Sequence, residues 1–249
     1  MTHLTISANS NVEAIYSPTW RIDGRVDNSK NACQYCHSLS VCLASPLIAY
    51  EDKHQVPKRV YQKGEHVFYS GEPLDALYVV RSGSIKTYMI SEQGDENILG
   101  FYLPGDVIGI DSGNADEYQS AAVTLESATV CRLPLSRLEE EGAGSVLLKL
   151  VADQIQRNQG LNQILAHKDA DGRMASFLLD FAVRYWERGY SETSFNLPMA
   201  RQDIGNYLGL AVETVSRCLT RFQESCVLDV NRREITIQAR DQLVKCAVH

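Results

Sequence analysis

The 249-residue chain has no run of eighteen or more apolar residues, so nothing in it is suited to span a bilayer as a helix. Its opening, Met1-Thr2-His3-Leu4-Thr5-Ile6, is not the charged and then apolar pattern of a secretory leader, and the expected location is the cytoplasm. It carries no Gly-x-Gly-x-x-Gly turn, no phosphate-binding Gly-x-x-x-x-Gly-Lys-Ser/Thr loop and no convincing pairing of a nucleophile with a base, which argues against an enzyme. An excess of positive charge is lacking too, since the net charge is −7. That deficit is uneven: residues 197–249 hold seven Lys/Arg against six Asp/Glu, leaving the segment at +1 and the remainder at −8. A local basic face is therefore compatible with an acidic whole.

What the chain does have is a dense run of thiols, Cys33-x2-Cys36-x5-Cys42, three within ten residues. Thiolate is a soft ligand suited to zinc, copper(I) or iron–sulfur clusters, and short spacings bring sulfurs to one centre at little loop-closure cost. A closed site wants a fourth ligand. Cys131, in the strand-like run Thr129-Val130-Cys131-Arg132-Leu133-Pro134, is the candidate. Zinc sites commonly pair two x2-spaced hooks, and only one is present; the seven cysteines are an odd number in a chain without a leader, which disfavours disulfides. A thioredoxin-like pair would close a strand and open a helix, and Cys33 and Cys36 do not. The spacing favours an iron–sulfur site over these alternatives. Cys218, Cys226 and Cys246, in helical or C-terminal context, read as small hydrophobes or plain thiols.

Along the chain, residues 1–30 are polar and without periodicity and read as a mobile arm, and Cys42 to Val56 as a short irregular or helical connection. From Val56 to about Pro134 short apolar runs such as Leu77-Tyr78-Val79-Val80 and Ile85-Lys86-Thr87-Tyr88-Met89-Ile90 alternate with turns at Ser82-Gly83, Gln93-Gly94-Asp95 and Pro104-Gly105-Asp106. Glycine at each break supplies the positive φ of tight hairpins, and the spacing predicts a small antiparallel barrel or roll.

Beyond Leu135 the period changes. Leu148, Val151, Ile155, Asn158, Asn162 and Leu165 step alternately by three and four, the spacing of a coiled-coil seam. A helix packed on its own domain is the alternative, but the stripe is narrow and two of its members are asparagine, which a buried face rarely leaves unpaired. A further helix is expected from Ala170 to about Arg188, with Met174, Phe177, Leu178, Phe181 and Tyr185 on its core face and Gly189 ending it.

The stretch from Arg201 to Cys218 predicts a helix-turn-helix: Ile204 and Leu208 lie one turn apart, Gly205 permits close approach, Gly209 makes the turn, and Val215 and Cys218 resume the apolar face. Val212, Glu213, Ser216 and Arg217 are the candidate DNA-reading residues of the second helix. Arg can meet guanine O6/N7 bidentately, Glu a cytosine amino group and Ser either kind of edge. Leu228 to Ile237 then reads as a two-stranded wing.

Together the Cys-x2-Cys-x5-Cys run, the distant Cys131, the glycine-punctuated roll, the long helix and Glu213-Thr214-Val215-Ser216-Arg217 resemble the fumarate and nitrate reduction regulators, FNR, of the cyclic-AMP receptor protein superfamily. The likeness runs from Asn31 onward and is most specific at Arg81-Ser82-Gly83-Ser84-Ile85-Lys86, Glu92-Gln93-Gly94-Asp95-Glu96 and Asp203-Ile204-Gly205-Asn206-Tyr207-Leu208-Gly209-Leu210. It implies an α+β chain: an arm and cysteine segment at 1–55, a cyclic-nucleotide-binding-like antiparallel β-roll at 56–135, a dimerisation helix at 136–168 and a winged helix-turn-helix at 169–249. It also implies a [4Fe–4S] cluster on Cys33, Cys36, Cys42 and Cys131, oxygen as the signal, and a homodimer on double-stranded sites like TTGAT-N4-ATCAA. Contact with RNA polymerase is implied at the hairpin of Ser91, Gly94 and Asp95. His37, Asn158 and Asn162 depart from what relatives carry, the first beside the cluster ligands and the others in the seam.

Two other readings stand beside this one. A relative sensing haem, nitric oxide or a nucleotide would keep the architecture. For a cyclic nucleotide, however, Tyr118-Gln119-Ser120-Ala121-Ala122 offers no arginine to hold the phosphate, and none is expected to bind. A small redox enzyme built on the cysteines would need catalytic motifs the chain lacks.

Overall fold

The computed structural model of the chain describes residues 40–42, 44, 57–112, 116–137 and 143–248. The arm at 1–30, Cys33, Cys36 and His37 lie outside them, as does the connection at 45–56.

Eight strands follow one another through the first half: β1 Lys58–Tyr61, β2 His66–Phe68, β3 Ala76–Ser82, β4 Ile85–Ile90, β5 Glu96–Tyr102, β6 Val107–Ile108, β7 Ala121–Thr124 and β8 Ala128–Pro134. They form two antiparallel four-stranded sheets, ordered β1-β8-β3-β6 and β2-β7-β4-β5. This is the expected roll, and Gly83, Gly94 and Gly105 all turn with positive φ, but of the three only Gly94 closes a hairpin, between β4 and β5; Gly83 carries the chain from the first sheet to the second and Gly105 carries it back.

Period-two alternation explains how the first sheet is covered on both faces. Ala76, Tyr78 and Val80 of β3 point into the roll, where Tyr61, Phe68, Tyr102 and Tyr118 fill the space between the sheets. Leu77 and Val79 point outward, and so do Cys131 and Leu133 of β8, which pair with them across the ladder. Phe68 and Tyr118 stack with centroids 4.0 Å apart, and the Tyr118 hydroxyl donates to the Ala76 carbonyl at 2.6 Å. The segment read as unsuited to hold a phosphate thus contributes a core aromatic.

A 3-10 turn at Leu135–Arg137 leads towards the long helix α1, Ala143–Ala166. Helix α2, Ala170–Glu187, is capped by the Asp169 carboxylate accepting from the Gly172 N–H at 2.6 Å, and the chain reverses at Arg188 and Gly189. Its predicted core face is buried at Met174, Phe177, Leu178 and Phe181. Next come β9 Ser194–Asn196, α3 Arg201–Leu208, α4 Val212–Glu224, β10 Leu228–Asn231, β11 Glu234–Ile237 and α5 Arg240–Val248. The wing differs from the two-stranded expectation: β9 adds a third strand, pairing Phe195 with Ile235. Burial of Phe195 and Ile235 in the same core as Phe177 and Phe222 gives the physical reason, because the extra strand closes the sheet over that core.

The same hydrophobic cluster runs from the roll into the C-terminal half. Phe101 of β5 packs edge-on against Phe177, Phe181 and Tyr207, with the last centroid 5.0 Å away. Polar links reinforce the junction. The Asn206 side chain accepts from the Ile98 N–H at 2.8 Å and donates to the Glu96 carbonyl, supplying the edge of β5 with the pairing a further strand would give. Lys86 of β4 bridges Glu96 and Asp203, the latter at 2.7 Å. Burial lowers the Lys86 pKa, but the two carboxylates outweigh it and hold the ammonium above its usual value. Among the described residues, no helix is long and apolar enough to cross a membrane.

Candidate nucleic-acid interface and thiol site

The helix-turn-helix takes its shape from two glycines. Gly209 ends α3 in the left-handed region at φ 63°, ψ 39°, a conformation that suits a residue without Cβ. Gly205 faces the turn into the second helix so closely that an added Cβ would stand 2.6 Å from the Leu210 carbonyl oxygen. Ile204, Leu208, Val215, Cys218, Leu219 and Phe222 form the buried face between the helices. That leaves Val212, Glu213 and Arg217 exposed at the start of α4, with Ser216 half-buried beside them. The four candidate readers therefore share one N-terminal helix face, and Arg217 Nε reaches the Glu213 carbonyl at 3.4 Å.

Three contacts around that face were not foreseen from the sequence. Arg201, the first residue of α3, donates to the Ser216 hydroxyl at 3.2 Å. Arg221 clamps the Asp171 carboxylate and so ties the far end of α4 to the start of α2. Cys218 lies on the buried face of α4, where burial and a bond with Asp171 push its thiol up to about 12, so it stays a neutral core thiol near pH 7.

The predicted seam lies on the long helix α1. Leu148, Val151 and Ile155 are 69%, 39% and 51% exposed, Asn158 and Asn162 are exposed, and Leu165 is half-buried. The inner face of the same helix is occupied by Val146, Leu150 and Ile164. The narrow stripe is thus exposed along Leu148, Val151, Ile155, Asn158 and Asn162. The hairpin of Ser91, Gly94 and Asp95 also stands at the surface: the Ser91 N–H donates to the Asp95 carbonyl at 2.8 Å and the Gly94 N–H to the Ser91 carbonyl at 2.9 Å.

Of the four thiols expected to act together, two are described. Cys131, 6% exposed, lies on the outer face of its sheet with Leu77, Val79, Val107, Leu133 and Leu150, and Cys42 packs against that same group beside Ala44. Residues 89 positions apart in sequence are thereby brought together. Cys33 and Cys36 lie outside the described residues; among those described, no group of three or more His, Cys, Asp or Glu side chains is arranged to hold a metal ion. Two soft ligands gathered on one apolar face, with two more shortly before Cys42 in the sequence, make a donor set whose chemistry suits an iron–sulfur group.

A residue that sequence reasoning passed over lies next to this site. Asp106, taken there as part of a turn, is buried to 1% exposure. Its carboxylate accepts from the Leu103 N–H at 2.8 Å, from Arg157 of α1 at 2.7 Å, and from Arg184 and Arg188 of α2 at 3.0 and 2.5 Å. Burial pushes the carboxyl up, but the three guanidinium groups and the Leu103 amide together outweigh it and hold it below the usual carboxylate range. An aspartate following a turn glycine is ordinary in sequence, and only its burial marks it out.

Comparison with known proteins gives two family matches: the cyclic nucleotide-binding domain over residues 58–142 and the Crp-like helix-turn-helix domain over residues 172–246. Electron transport regulator A of Shewanella oneidensis is 42% identical over 221 residues, spanning 85% of this chain and 88% of that protein. The fumarate and nitrate reduction regulatory protein of Escherichia coli is 38% identical over 243 residues, 93% of this chain and 97% of that one. Among solved structures, FixK2 from Bradyrhizobium japonicum superposes with a TM-score of 0.71 at 29% identity, covering 78% of this chain and 98% of that one.

Proposed function

The chain belongs to the Crp/FNR family and is an FNR-like DNA-binding transcription regulator rather than an enzyme, and from that premise we propose that it senses oxygen through a [4Fe–4S] cluster held by Cys33, Cys36, Cys42 and Cys131. The observation that carries the reading is the meeting of Cys42 and Cys131 in one apolar group that includes Leu150 of the long helix. When bound, such a cluster supplies a cross-link among four thiolates that oxygen can break.

The rest of the proposal concerns what the chain's own residues do. The thiol site shares its packing with Leu150, two positions after Leu148 and next to Val151 of the exposed stripe. Seating the cysteine segment thus favours one placement of α1, and the stripe Leu148, Val151, Ile155, Asn158, Asn162 and Leu165 joins two protomers. Only contacts that differ between the two states can shift the monomer–dimer balance, and packing of the segment on α1 is such a contact.

In the dimer, two copies of α4 present Val212, Glu213, Ser216 and Arg217 to the half-sites of a TTGAT-N4-ATCAA-like duplex. Arg217 meets guanine and Glu213 a cytosine amino group. The turn of Ser91, Gly94 and Asp95 contacts RNA polymerase. Cyclic nucleotide has no part in the reading: Tyr118, Phe68 and Tyr78 pack as core inside the roll, and the Ser120 hydroxyl is engaged by Asp111 at 2.6 Å.

The test is anaerobic purification followed by iron, sulfide and visible absorption, with operator binding measured before and after air. A broad band that bleaches as operator binding falls is expected. A sharp, intense Soret band would instead make haem the ligand. Replacing Cys131 with Ala should remove iron and sulfide as fully as replacing Cys36 does; a Cys131→Ala protein that keeps its full complement overturns the ligand assignment.

A further inference from the structure

The turn between β5 and β6 is touched from two sides. On one side Val41, adjacent to Cys42, rests directly on Gly105: a Cβ there, at φ 97°, would stand 2.8 Å from Val41 Cγ2 and 2.9 Å from the Val41 carbonyl oxygen. On the other side Asp106 extends its buried carboxylate to Arg157 of α1 and to Arg184 and Arg188 of α2. The turn itself is tied to β3, since the Gly105 N–H donates to the Val80 carbonyl at 2.8 Å and the Val80 N–H to the Asp106 carbonyl at 2.9 Å. One short segment therefore joins the cysteine-bearing strap, the helix of the exposed stripe and the helix that leads into the helix-turn-helix.

The grip of the arginines is specific. Arg157 meets both Asp106 oxygens, at 2.7 and 3.2 Å, and its Nε is held by Asp153 at 2.7 Å. Arg184 also donates to the Phe101 carbonyl at 2.6 Å, and Arg188 to the Pro104 carbonyl at 2.7 Å. With Asp153 and Asp180 beside Arg157 and Arg184, the cluster of charges is neutral as a whole. Buried charge pairs are poor sources of net stability but strong constraints on geometry, because breaking one leaves an uncompensated charge out of water. A shift of the turn consequently obliges α1 and α2 to follow it.

We propose that Asp106 is a positioning residue that couples the cysteine segment to α1 and α2 through Arg157, Arg184 and Arg188, so that occupancy of the thiol site sets both the dimer seam and the placement of the DNA-reading helix. The proposal rests on the sensing reading given above, in which Cys42 is a ligand. Val41 is the contact through which the strap bears on the turn, and Arg157 is the link whose removal separates sensing from response.

The experiment uses the full chain as Arg157→Gln, which leaves Asp106 two arginines and the Leu103 amide. Iron and sulfide content, operator affinity by fluorescence anisotropy, and dimerisation by sedimentation are measured for cluster-loaded and cluster-free protein. The parent is expected to bind operator more tightly when loaded. Arg157→Gln should take up the same iron and sulfide, yet the ratio of loaded to cluster-free affinity should collapse at least tenfold towards one. Arg157→Lys, which keeps the charge but not the two-oxygen grip, should fall between them, and it carries the test alone should Arg157→Gln not fold. A variant whose two affinities drop by the same factor, leaving the ratio as in the parent, overturns the coupling role and leaves Arg157 a structural residue. A parent that takes up no iron and sulfide, or binds operator equally with and without them, overturns the sensing reading and this proposal with it.

Discussion

The seam proposed on α1 yields a prediction that can be tested on cluster-free protein. In the single protomer Leu148, Val151 and Ile155 keep 69%, 39% and 51% of their surface exposed. Full burial of such side chains is worth about 1.5–3 kcal/mol each, and scaling by those fractions leaves about 2–5 kcal/mol per protomer, or about 5–10 kcal/mol for the pair. Association costs roughly 4–15 kcal/mol, so the apolar part of the stripe sits near balance, and the two asparagine layers add nothing to it. Asn162→Ile replaces one exposed polar layer with burial of about 1–2 kcal/mol on each protomer, or about 2–4 kcal/mol per dimer. The dimer dissociation constant should fall by about 30-fold to about 1000-fold. Sedimentation equilibrium of the cluster-free proteins over a range of concentrations measures it, with Gln163→Ile, one position off the stripe and also exposed, as the control expected to change dimerisation less than about threefold. Identical dissociation constants for the parent and Asn162→Ile would show that residue 162 does not face a two-fold mate and that the register is wrong. Asn158→Asp should move the other way, because two carboxylates would meet across the axis and dimerisation would depend more on the seating of the cysteine segment.

Three further outcomes follow from the geometry. Arg217→Ala should cost roughly 1–3 kcal/mol of operator binding and relax preference at the guanine; equal loss on operator and scrambled duplexes in anisotropy titrations would show that Arg217 does not read a base. Gly205→Ala forces a methyl group to 2.6 Å from the Leu210 carbonyl, and overpacking of that kind costs about 1–3 kcal/mol, so a urea midpoint unchanged from the parent would refute the close approach of α3 to the turn at Leu210. Asp106 is held below the ordinary carboxylate range, so its contribution to stability is fully present above about pH 4 and is lost as pH falls through the lower folded value. Carbon-detected NMR of the carboxyl groups should show Asp106 still ionised when exposed aspartates have titrated, and titration in step with them would refute the buried cluster.

Much of this protein was legible from local rules alone. The turn glycines announce the roll because a positive φ is a property of one residue. Ile204, Gly205, Leu208 and Gly209 announce the helix-turn-helix because helical spacing and a left-handed cap are properties of six consecutive positions. The narrow stripe on α1 and the outward phase of Cys131 next to inward Val130 likewise follow from the periods of 3.5 and 2. What the sequence does not display is complementarity between distant polar groups, which has no period. Asp106 finds its arginines 51, 78 and 82 residues away, and Asn206 closes a sheet edge 108 residues back in the chain. Strand β9 joins the wing only because the core beneath it needs a third strand to cover it. Cys42 and Cys131 could each be singled out by residue type and spacing, but packing of the strap on the outer face of the first sheet is what puts them on one surface, against Leu150 of the long helix.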